Sequence, residues 1–178
     1  MKSYDYAARK GVRQISWQDF SDLVANLVEQ IEPCAPDAIV GIARAGLFPA
    51  TAVACSLRRE LFPVRLSRRI NDEVRYEKPV WVVPVCFDVA GKTLALVDEI
   101  ADSGQTLAMA ASELRSRGAE KVLTACLVSH TWAEPPPDFS ALCSDELIIF
   151  PWDRQVLVDG RWQPHPEVVA ALQTQKKL

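Results

Sequence analysis

The chain has 178 residues, a formal net charge of −3 and 49% hydrophobic residues. These values suit a single globular domain with a substantial core, and they exclude a disordered chain. The pI of about 5.4 does not favour a general nucleic-acid-binding protein, which would normally carry a basic surface. We therefore predict one domain over residues 1–178 and no nucleic-acid partner.

Targeting signals and cysteines indicate the compartment. No apolar run reaches the length of a membrane span, and the first residues lack the apolar segment of a signal peptide. We therefore expect a cytoplasmic protein with no membrane partner. The five cysteines include no CxxC pair, and several lie in apolar runs. We interpret them as small, buried hydrophobic residues in a reducing compartment.

The first half of the chain alternates helical and extended patterns. Apolar residues recur at helical spacing from Phe20 to Ile31, and Ser16 with an acid three residues later predicts the start of that helix. The elements predicted after it are a buried strand at 38–42, a loop at 43–46, a helix at 47–59 and a second strand at 62–66. The polar, poorly patterned segment 67–79 is predicted to be a mobile loop.

The second half continues the alternation. Its predicted elements are strands at 80–85, 94–97, 122–128 and 147–150, a helix at 105–117, an extended loop at 133–138 and a terminal helix at 166–173. Strands that alternate with helices predict parallel βαβ units with right-handed crossovers. Because such sheets bind ligands at the carboxyl ends of their strands, the loops after Ile42, Val97 and Val128 are expected to share one edge.

The most informative segment is 94–107. It reads as a buried strand that ends in Asp98 and Glu99, then a polar loop with one glycine, then the start of a helix. Helix N-termini bind phosphate through backbone N–H groups and a positive dipole, whereas two carboxylates suit sugar hydroxyls or Mg²⁺. The combination favours a sugar phosphate as the ligand, with a simple turn and helix cap as the structural alternative.

A second loop, 43–46, also follows a strand and precedes a helix. It carries Arg44, so it offers a guanidinium beside helix N–H groups. Arg44 on its own would more often form a surface salt bridge. Two anion sites at one sheet edge suit a substrate with a 5′-phosphate at one end and a diphosphate at the other.

The residues Val97 to Thr106 resemble the phosphoribosyl diphosphate (PRPP) signature of type I phosphoribosyltransferases. Over about residues 13–154 the pattern is most similar to the xanthine-guanine and hypoxanthine subgroup. The supporting segments are Ile15-Ser16-Trp17, Arg68-Arg69, Pro137-Asp138-Phe139 and Phe150-Pro151-Trp152-Asp153. The resemblance implies an α/β, Rossmann-like fold with a mainly parallel central sheet flanked by helices, and a small hood at about 67–79.

The same resemblance implies a reaction and its residues. It implies transfer of the 5-phosphoribosyl group from PRPP to a purine-like base with release of diphosphate, with Mg²⁺ as cofactor and a homodimer as the assembly. The implied ligands of the ribose hydroxyls and Mg²⁺ are Asp98 and Glu99. The implied 5′-phosphate site comprises Asp102, Ser103, Gly104, Gln105 and Thr106, and the diphosphate site comprises Arg44, Ala45, Gly46, Arg68 and Arg69. Asp102 also matches the position that takes or holds the proton on purine N7.

The base pocket departs from the subgroup. Ser129 lies at or near the position of a lysine that reaches O6 of the base, and Leu147 replaces the aromatic residue that stacks on the purine. The other candidates for base contacts are His130, Trp132, Trp152 and Asp153. Because a charged hydrogen bond and a stacking surface are both lost, we predict poor turnover of ordinary 6-oxopurines. The alternative function is a PRPP- or nucleotide-sensing regulator on the same fold with little catalysis.

Overall fold

The computed structural model describes residues 9, 11–70 and 73–175, with the backbone alone at 69, 70, 73 and 74. These residues form two compact units. The large unit is Leu23–Ser144, and the small unit comprises the described residues up to Asp22 and from Asp145 onward. No helix in these ranges is long and apolar enough to cross a membrane.

The described elements comprise helices and strands, with several strands in succession after α2 and after α3. In order they are β1 (Val12–Gln14), α1 (Trp17–Ile31), β2 (Ala38–Ile42), α2 (Leu47–Leu57), β3 (Glu60–Ser67), β4 (Arg69–Ile70), β5 (Glu73–Val74), β6 (Val80–Val83), β7 (Thr93–Ala101), α3 (Gln105–Ser116), β8 (Lys121–Ser129), β9 (Phe139–Cys143), β10 (Leu147–Ile149), β11 (Gln155–Val158), β12 (Arg161–Pro164) and α4 (Pro166–Gln175). Short 3₁₀ turns lie at Glu32–Cys34 and Pro151–Asp153.

The large unit is built on one sheet. Its described strands have the order β6-β3-β2-β7-β8-β9. Every neighbouring pair is parallel except β3 and β6, which are antiparallel. The register pairs Val40 with Leu96 and Leu96 with Thr124, so the carboxyl ends of β2, β7 and β8 lie at one edge. The predicted α/β fold with a mainly parallel sheet is confirmed.

The central strands are apolar, as expected inside a parallel sheet. All residues of β2 are buried, and α2 packs directly on this strand. A Cβ at Gly41 would lie 2.7 Å from the Cβ of Ala50, so only glycine permits this close approach. The residues by which α3 joins the same core are Leu107, Ala110, Ala111 and Leu114.

The small unit has its own pairing and packing. β1 and β10 form a parallel pair in which Val12 lies opposite Leu147. β11 and β12 form an antiparallel hairpin. The apolar core consists of Leu147, Ile149 and Ala171, with Val12, Val168 and Leu172 packed against it. A separate aromatic cluster is formed by Trp17, Phe20, Phe150 and Trp152.

The predicted start of α1 is confirmed by its capping bonds. The backbone N–H of Asp19 donates to Ser16 Oγ at 3.0 Å, and the backbone N–H of Ser16 donates to Asp19 Oδ2 at 2.8 Å. This reciprocal pair is a capping box. The hydrogen bonds from Ser16, of which the side-chain bond is the strongest influence, hold the pKa of Asp19 below its ordinary value.

Several strands differ from the prediction. The strand predicted at 94–97 continues to Ala101, because Ile100 and Ala101 still pair with β8, so Asp98 and Glu99 lie within the strand and not after it. The strand predicted at 147–150 pairs with β1 instead of joining the central sheet. The prediction omits β1, β9 and the β11–β12 hairpin, and it treats 67–79 as a loop although β4 and β5 pair there.

The interpretation of the cysteines as buried residues is wrong for most of them. Cys126 is buried and Cys34 partly buried, whereas Cys55, Cys86 and Cys143 are exposed, and all are free thiols. The apolar character of the flanking sequence does not specify which face of a helix or strand a residue occupies.

Candidate functional site

Three chain segments meet the carboxyl edge of the parallel sheet. Loop 43–46 follows β2, loop 102–104 follows β7, and segment 130–138 follows β8. The last two are joined by the backbone N–H of Glu134, which donates to the carbonyl of Ser103 at 3.1 Å. Candidate residues distant in sequence are thereby gathered at one edge.

The acid pair lies near the carboxyl end of β7. Asp98 is 8% exposed, and its Oδ1 accepts the backbone N–H of Glu99 at 2.9 Å, whereas Glu99 is half-buried. Burial raises the pKa of Asp98 well above its ordinary value, and the neighbouring Glu99 carboxylate raises it further. These effects oppose ionisation of Asp98 in the ligand-free protein, and hydroxyl donors or a cation would stabilise the ionised form.

Gly46 brings loop 43–46 against this pair. A Cβ at Gly46 would lie 2.5 Å from the carbonyl oxygen of Ile42 and 2.6 Å from Asp98 Oδ1, so any side chain here would collide. The backbone of Gly46 is right-handed, with φ −61°, so the glycine is required for space and not for its torsion angles. Because Gly46 is also the N-cap of α2, the start of this helix lies next to Asp98.

Arg44 and Ala45 form the turn that leads into α2. The backbone N–H of Leu47 donates to the carbonyl of Arg44 at 3.1 Å, and the Ala43–Arg44 peptide is cis. The Arg44 side chain is exposed, where a guanidinium can bind a diphosphate. Arg68 is partly buried, and the side chain of Arg69 lies outside the described residues.

Loop 102–104 forms the N-terminus of α3. Gly104 is the N-cap, with φ +76°, a left-handed conformation that favours glycine. A Cβ at Gly104 would also collide with the carbonyl oxygen of Pro135. The backbone N–H of Ala108 donates to the carbonyl of Gly104 at 3.0 Å. The N–H groups of residues 105–107 therefore lie before the first hydrogen bond of the helix. With the hydroxyls of Ser103 and Thr106, they form a cradle suited to a phosphate.

Asp102 is contacted by two aromatic residues. The Nε1–H of Trp132 donates to Asp102 Oδ1 at 3.4 Å, and His130 Nε2 lies 3.8 Å from the same oxygen. The rings of His130 and Trp132 stack with their centroids 4.4 Å apart. His130 is buried, and its Nδ1 lies 2.5 Å from the carbonyl oxygen of Ser144. His130 therefore lies beside Asp102, between that carboxylate and the end of β9.

The other base-pocket candidates have structural partners. Ser129 is buried and its hydroxyl donates to Ser140 Oγ at 3.1 Å. In the small unit, Leu147 belongs to the core, Trp152 belongs to the aromatic cluster, and Asp153 lies in a 3₁₀ turn. An aromatic side chain at position 147 would overfill this core. The roles of these residues in binding a base stay predictions.

The sequence analysis assigned no individual role to two residues that shape this edge, Asp138 and Ser144. Asp138 Oδ2 accepts the backbone N–H of Thr124 at 2.7 Å and its hydroxyl at 2.9 Å, which fastens segment 130–138 to β8. The Asp after proline in Pro137-Asp138-Phe139 is a signal that could have indicated such a side-chain bond. Ser144 carries no comparable signal, because it acts through its backbone carbonyl.

The carboxylates fit a magnesium ion that arrives with a phosphorylated substrate. Within the described part of the chain, no group of three or more His, Cys, Asp or Glu side chains is arranged to hold a metal by itself. Mg²⁺ is commonly bound by one or two carboxylates together with substrate phosphates. Asp98 and Glu99 offer such carboxylates beside loop 43–46.

The sheet order and its edge define a class of protein. A mainly parallel α/β sheet here carries an acid pair, a helix N-terminus and an arginine loop at one edge, and this architecture matches the type I phosphoribosyltransferase fold. The phosphoribosyl transferase domain family matches residues 13–158. The chain belongs to this phosphoribosyltransferase family.

Similar proteins of known structure or named function support this family assignment. The fold is similar to that of a purine phosphoribosyltransferase from Pyrococcus horikoshii, with a TM-score of 0.74 and 27% identity over 85% of this chain and 100% of the other. The xanthine-guanine-hypoxanthine phosphoribosyltransferase of Helicobacter pylori shares the fold, with a TM-score of 0.68 and 20% identity over 91% and 99% of the chains. The orotate phosphoribosyltransferase of Sulfurisphaera tokodaii is 26% identical over 63% of this chain and 53% of its own length. This chain thus spans about half the length of such orotate enzymes.

Proposed function

We propose that this protein is a Mg²⁺-dependent phosphoribosyltransferase that transfers the 5-phosphoribosyl group of PRPP to a purine-like base and releases diphosphate. The observation that carries the proposal is the close approach of Gly46 to Asp98, which places an arginine loop against a carboxylate pair. The same sheet edge carries the N-terminus of α3. A ligand that fills all three features needs a diphosphate, sugar hydroxyls and a further phosphate, and PRPP has these groups.

Each part of PRPP has a proposed counterpart. The N–H groups at the start of α3, with Ser103 and Thr106, bind the 5′-phosphate. Asp98 and Glu99 accept hydrogen bonds from the ribose hydroxyls and hold Mg²⁺. Loop 43–46, with Arg44, binds the diphosphate together with Arg68 and Arg69. When bound, Mg²⁺ neutralises charge on the departing diphosphate.

The proposed reaction is a displacement at C1 of the ribose. A ring nitrogen of the base forms the bond to C1 while the bond from C1 to the diphosphate oxygen breaks. Preorganised charges and dipoles around the ribose stabilise the developing oxocarbenium character. Asp102 takes or holds the proton of the base, and Trp132 donates a hydrogen bond to its carboxylate. Exclusion of water from the bound PRPP would prevent its hydrolysis.

Calorimetry with PRPP and Mg²⁺ tests the ribose site. The double variant Asp98→Asn, Glu99→Gln is expected to bind PRPP at least roughly 100-fold more weakly, because hydrogen bonds to charged acceptors are strong. The matched control is Asp22→Asn, Glu29→Gln, which neutralises two exposed acids of α1. Unchanged PRPP affinity in the first double variant would show that the acid pair does not bind the ribose.

A panel of bases, with diphosphate release as the readout, tests the transfer. We expect slow reaction with guanine, xanthine and hypoxanthine, because Ser129 supplies no positive charge and Leu147 is buried in the core of the small unit.

The variant Asp102→Asn tests the catalytic role of this carboxylate. We expect it to keep PRPP affinity and to lower the transfer rate by roughly two to four orders of magnitude. PRPP binding without turnover of any base would instead support a sensing regulator. A homodimer and a cytoplasmic location stay predictions.

A further inference from the structure

We propose that His130 is a positioning residue for Asp102: its Nδ1–H is fixed on the carbonyl of Ser144, and its Nε2 carries a second proton directed at Asp102 Oδ1. This pair orients the Asp102 carboxylate. The role toward a base rests on the proposed function, whereas the pair itself does not.

The first step is the hydrogen bond at Nδ1. His130 Nδ1 lies 2.5 Å from the carbonyl oxygen of Ser144. A carbonyl oxygen only accepts, so Nδ1 must carry the proton. A neutral His130 would therefore have its lone pair on Nε2, and only the imidazolium form carries protons on both nitrogens.

The second step is the neighbour of Nε2. This nitrogen lies 3.8 Å from Asp102 Oδ1, and the His130 side chain is fully buried. The Asp102 side chain is partly exposed. A lone pair facing a carboxylate is repulsive, whereas an N–H facing it is attractive. The fixed tautomer thus makes the orientation of Asp102 depend on the protonation of His130.

The third step is the support from Trp132. Its ring stacks on the imidazole with an interplanar angle of 18°, and its Nε1–H donates to the same Oδ1 of Asp102 at 3.4 Å. An indole face favours a cation stacked on it. One side chain therefore stabilises the charged imidazole and orients the carboxylate at the same time.

Several titratable residues lie on the elements around the ring. In the described part of the large unit they include Asp98 and Glu99 on β7, Asp102 on the loop after β7, Cys126 on β8, Glu134 and Asp138 on the segment after β8, and Cys143, which lies opposite Ser129 on β9. The Nε2 of His130 lies within ion-pair distance of Asp102. We therefore expect removal of the Asp102 charge to change the titration of His130.

The consequence for transfer is a defined pH dependence. A carboxylate oriented by the Nε2–H of His130 can hold the base proton. When rising pH removes the Nε2 proton, the lone pair faces Asp102 and the carboxylate loses its orientation. We therefore expect kcat/KM to fall at high pH through the titration of His130, with little change in the KM for PRPP.

Nuclear magnetic resonance of ¹⁵N-histidine tests the pair in ligand-free protein. The chain has two histidines, His130 and His165, so His165→Gln assigns both signals. His165 Nδ1 accepts the backbone N–H of Glu167 at 3.3 Å, so neutral His165 should carry its proton on Nε2. We expect the opposite for His130, with Nδ1 protonated at every pH and Nε2 titrating.

Substitution of Asp102 tests the coupling. Asp102→Asn keeps the shape and an acceptor for Trp132, and we expect it to weaken proton binding by His130 by about 10- to 1000-fold, as removal of an opposite charge within this distance does. The control is Glu134→Gln, which should cause a smaller change. An Nε2–H tautomer of His130, or an unchanged titration in folded Asp102→Asn, would overturn the pair whether or not any base is turned over.

Two His130 variants separate positioning from packing. The amide nitrogen of His130→Gln can reach the position of Nε2, whereas that of His130→Asn can reach only the position of Nδ1. If transfer is observed, we expect His130→Gln to retain more of it than His130→Asn and to lose the fall at high pH. Equal rates and unchanged pH profiles in both variants would contradict a positioning role.

Discussion

At the scale of single residues, folding and ligand binding favour opposite protonation states of Asp98. Its carboxylate is buried beside Glu99, which disfavours the ionised form in the ligand-free protein. A ribose hydroxyl or Mg²⁺ would favour that same ionised form. A residue that destabilises the fold and suits a ligand is typical of a functional site.

We therefore expect Asp98→Asn to stabilise the ligand-free protein. The pKa of Asp98 is raised above its ordinary 3.8 in the folded state, so ionisation of this carboxyl opposes folding. Its contribution to stability is therefore lost as the pH rises from 3.8 through the raised pKa. The variant should have a higher Tm than wild type at pH 8, and the difference should shrink toward acidic pH. Thermal unfolding followed by circular dichroism measures both, with Asp22→Asn as the exposed control. A lower Tm of Asp98→Asn at pH 8 would contradict this account.

At the scale of elements, β9 depends on the bonds between Thr124 and Asp138. β9 is a terminal strand of the sheet and is only partly buried, so apolar burial alone gives it limited support. Asp138 binds the backbone N–H and hydroxyl of Thr124, and its own backbone N–H donates to Thr124 Oγ1 at 2.9 Å. These bonds fix the point at which the chain returns to the sheet.

We expect Asp138→Ala to lower the free energy of unfolding by about 1.5–3 kcal/mol, the range for hydrogen bonds to a charged group. Asp138→Asn keeps an acceptor oxygen and should cause a smaller loss. Urea unfolding measures both variants, and hydrogen exchange should show faster opening of β9 in Asp138→Ala. Equal stability of wild type and Asp138→Ala would show that strand pairing alone holds β9.

At the scale of the whole molecule, the cysteines differ in their exposure to solvent. Cys126 lies inside β8 and is fully buried, whereas Cys55, Cys86 and Cys143 are exposed on other elements. Burial raises the pKa of the Cys126 thiol, which removes the reactive thiolate at ordinary pH. The chain therefore contains thiols of two very different reactivities.

We expect iodoacetamide at pH 8 to modify Cys55, Cys86 and Cys143 of the native protein and to leave Cys126 unmodified. Cys126 should react only after denaturation, because folding removes both access and thiolate. Mass spectrometry of the digested protein identifies each site. Native alkylation of Cys126 as fast as that of Cys55 would contradict the burial of β8.

The sequence by itself determined the features that depend on neighbours in the chain. Apolar periodicity specified the alternating helices and strands, Ser16 and Asp19 specified the start of α1, and the segment 97–106 specified the family. The tertiary structure alone decided the close approach of Gly46 to Asp98, the pairing of β1 with β10, and the contact of His130 with Asp102 and Ser144. These contacts join residues far apart in the chain, and no local periodicity or motif encodes which distant groups the sheet brings together.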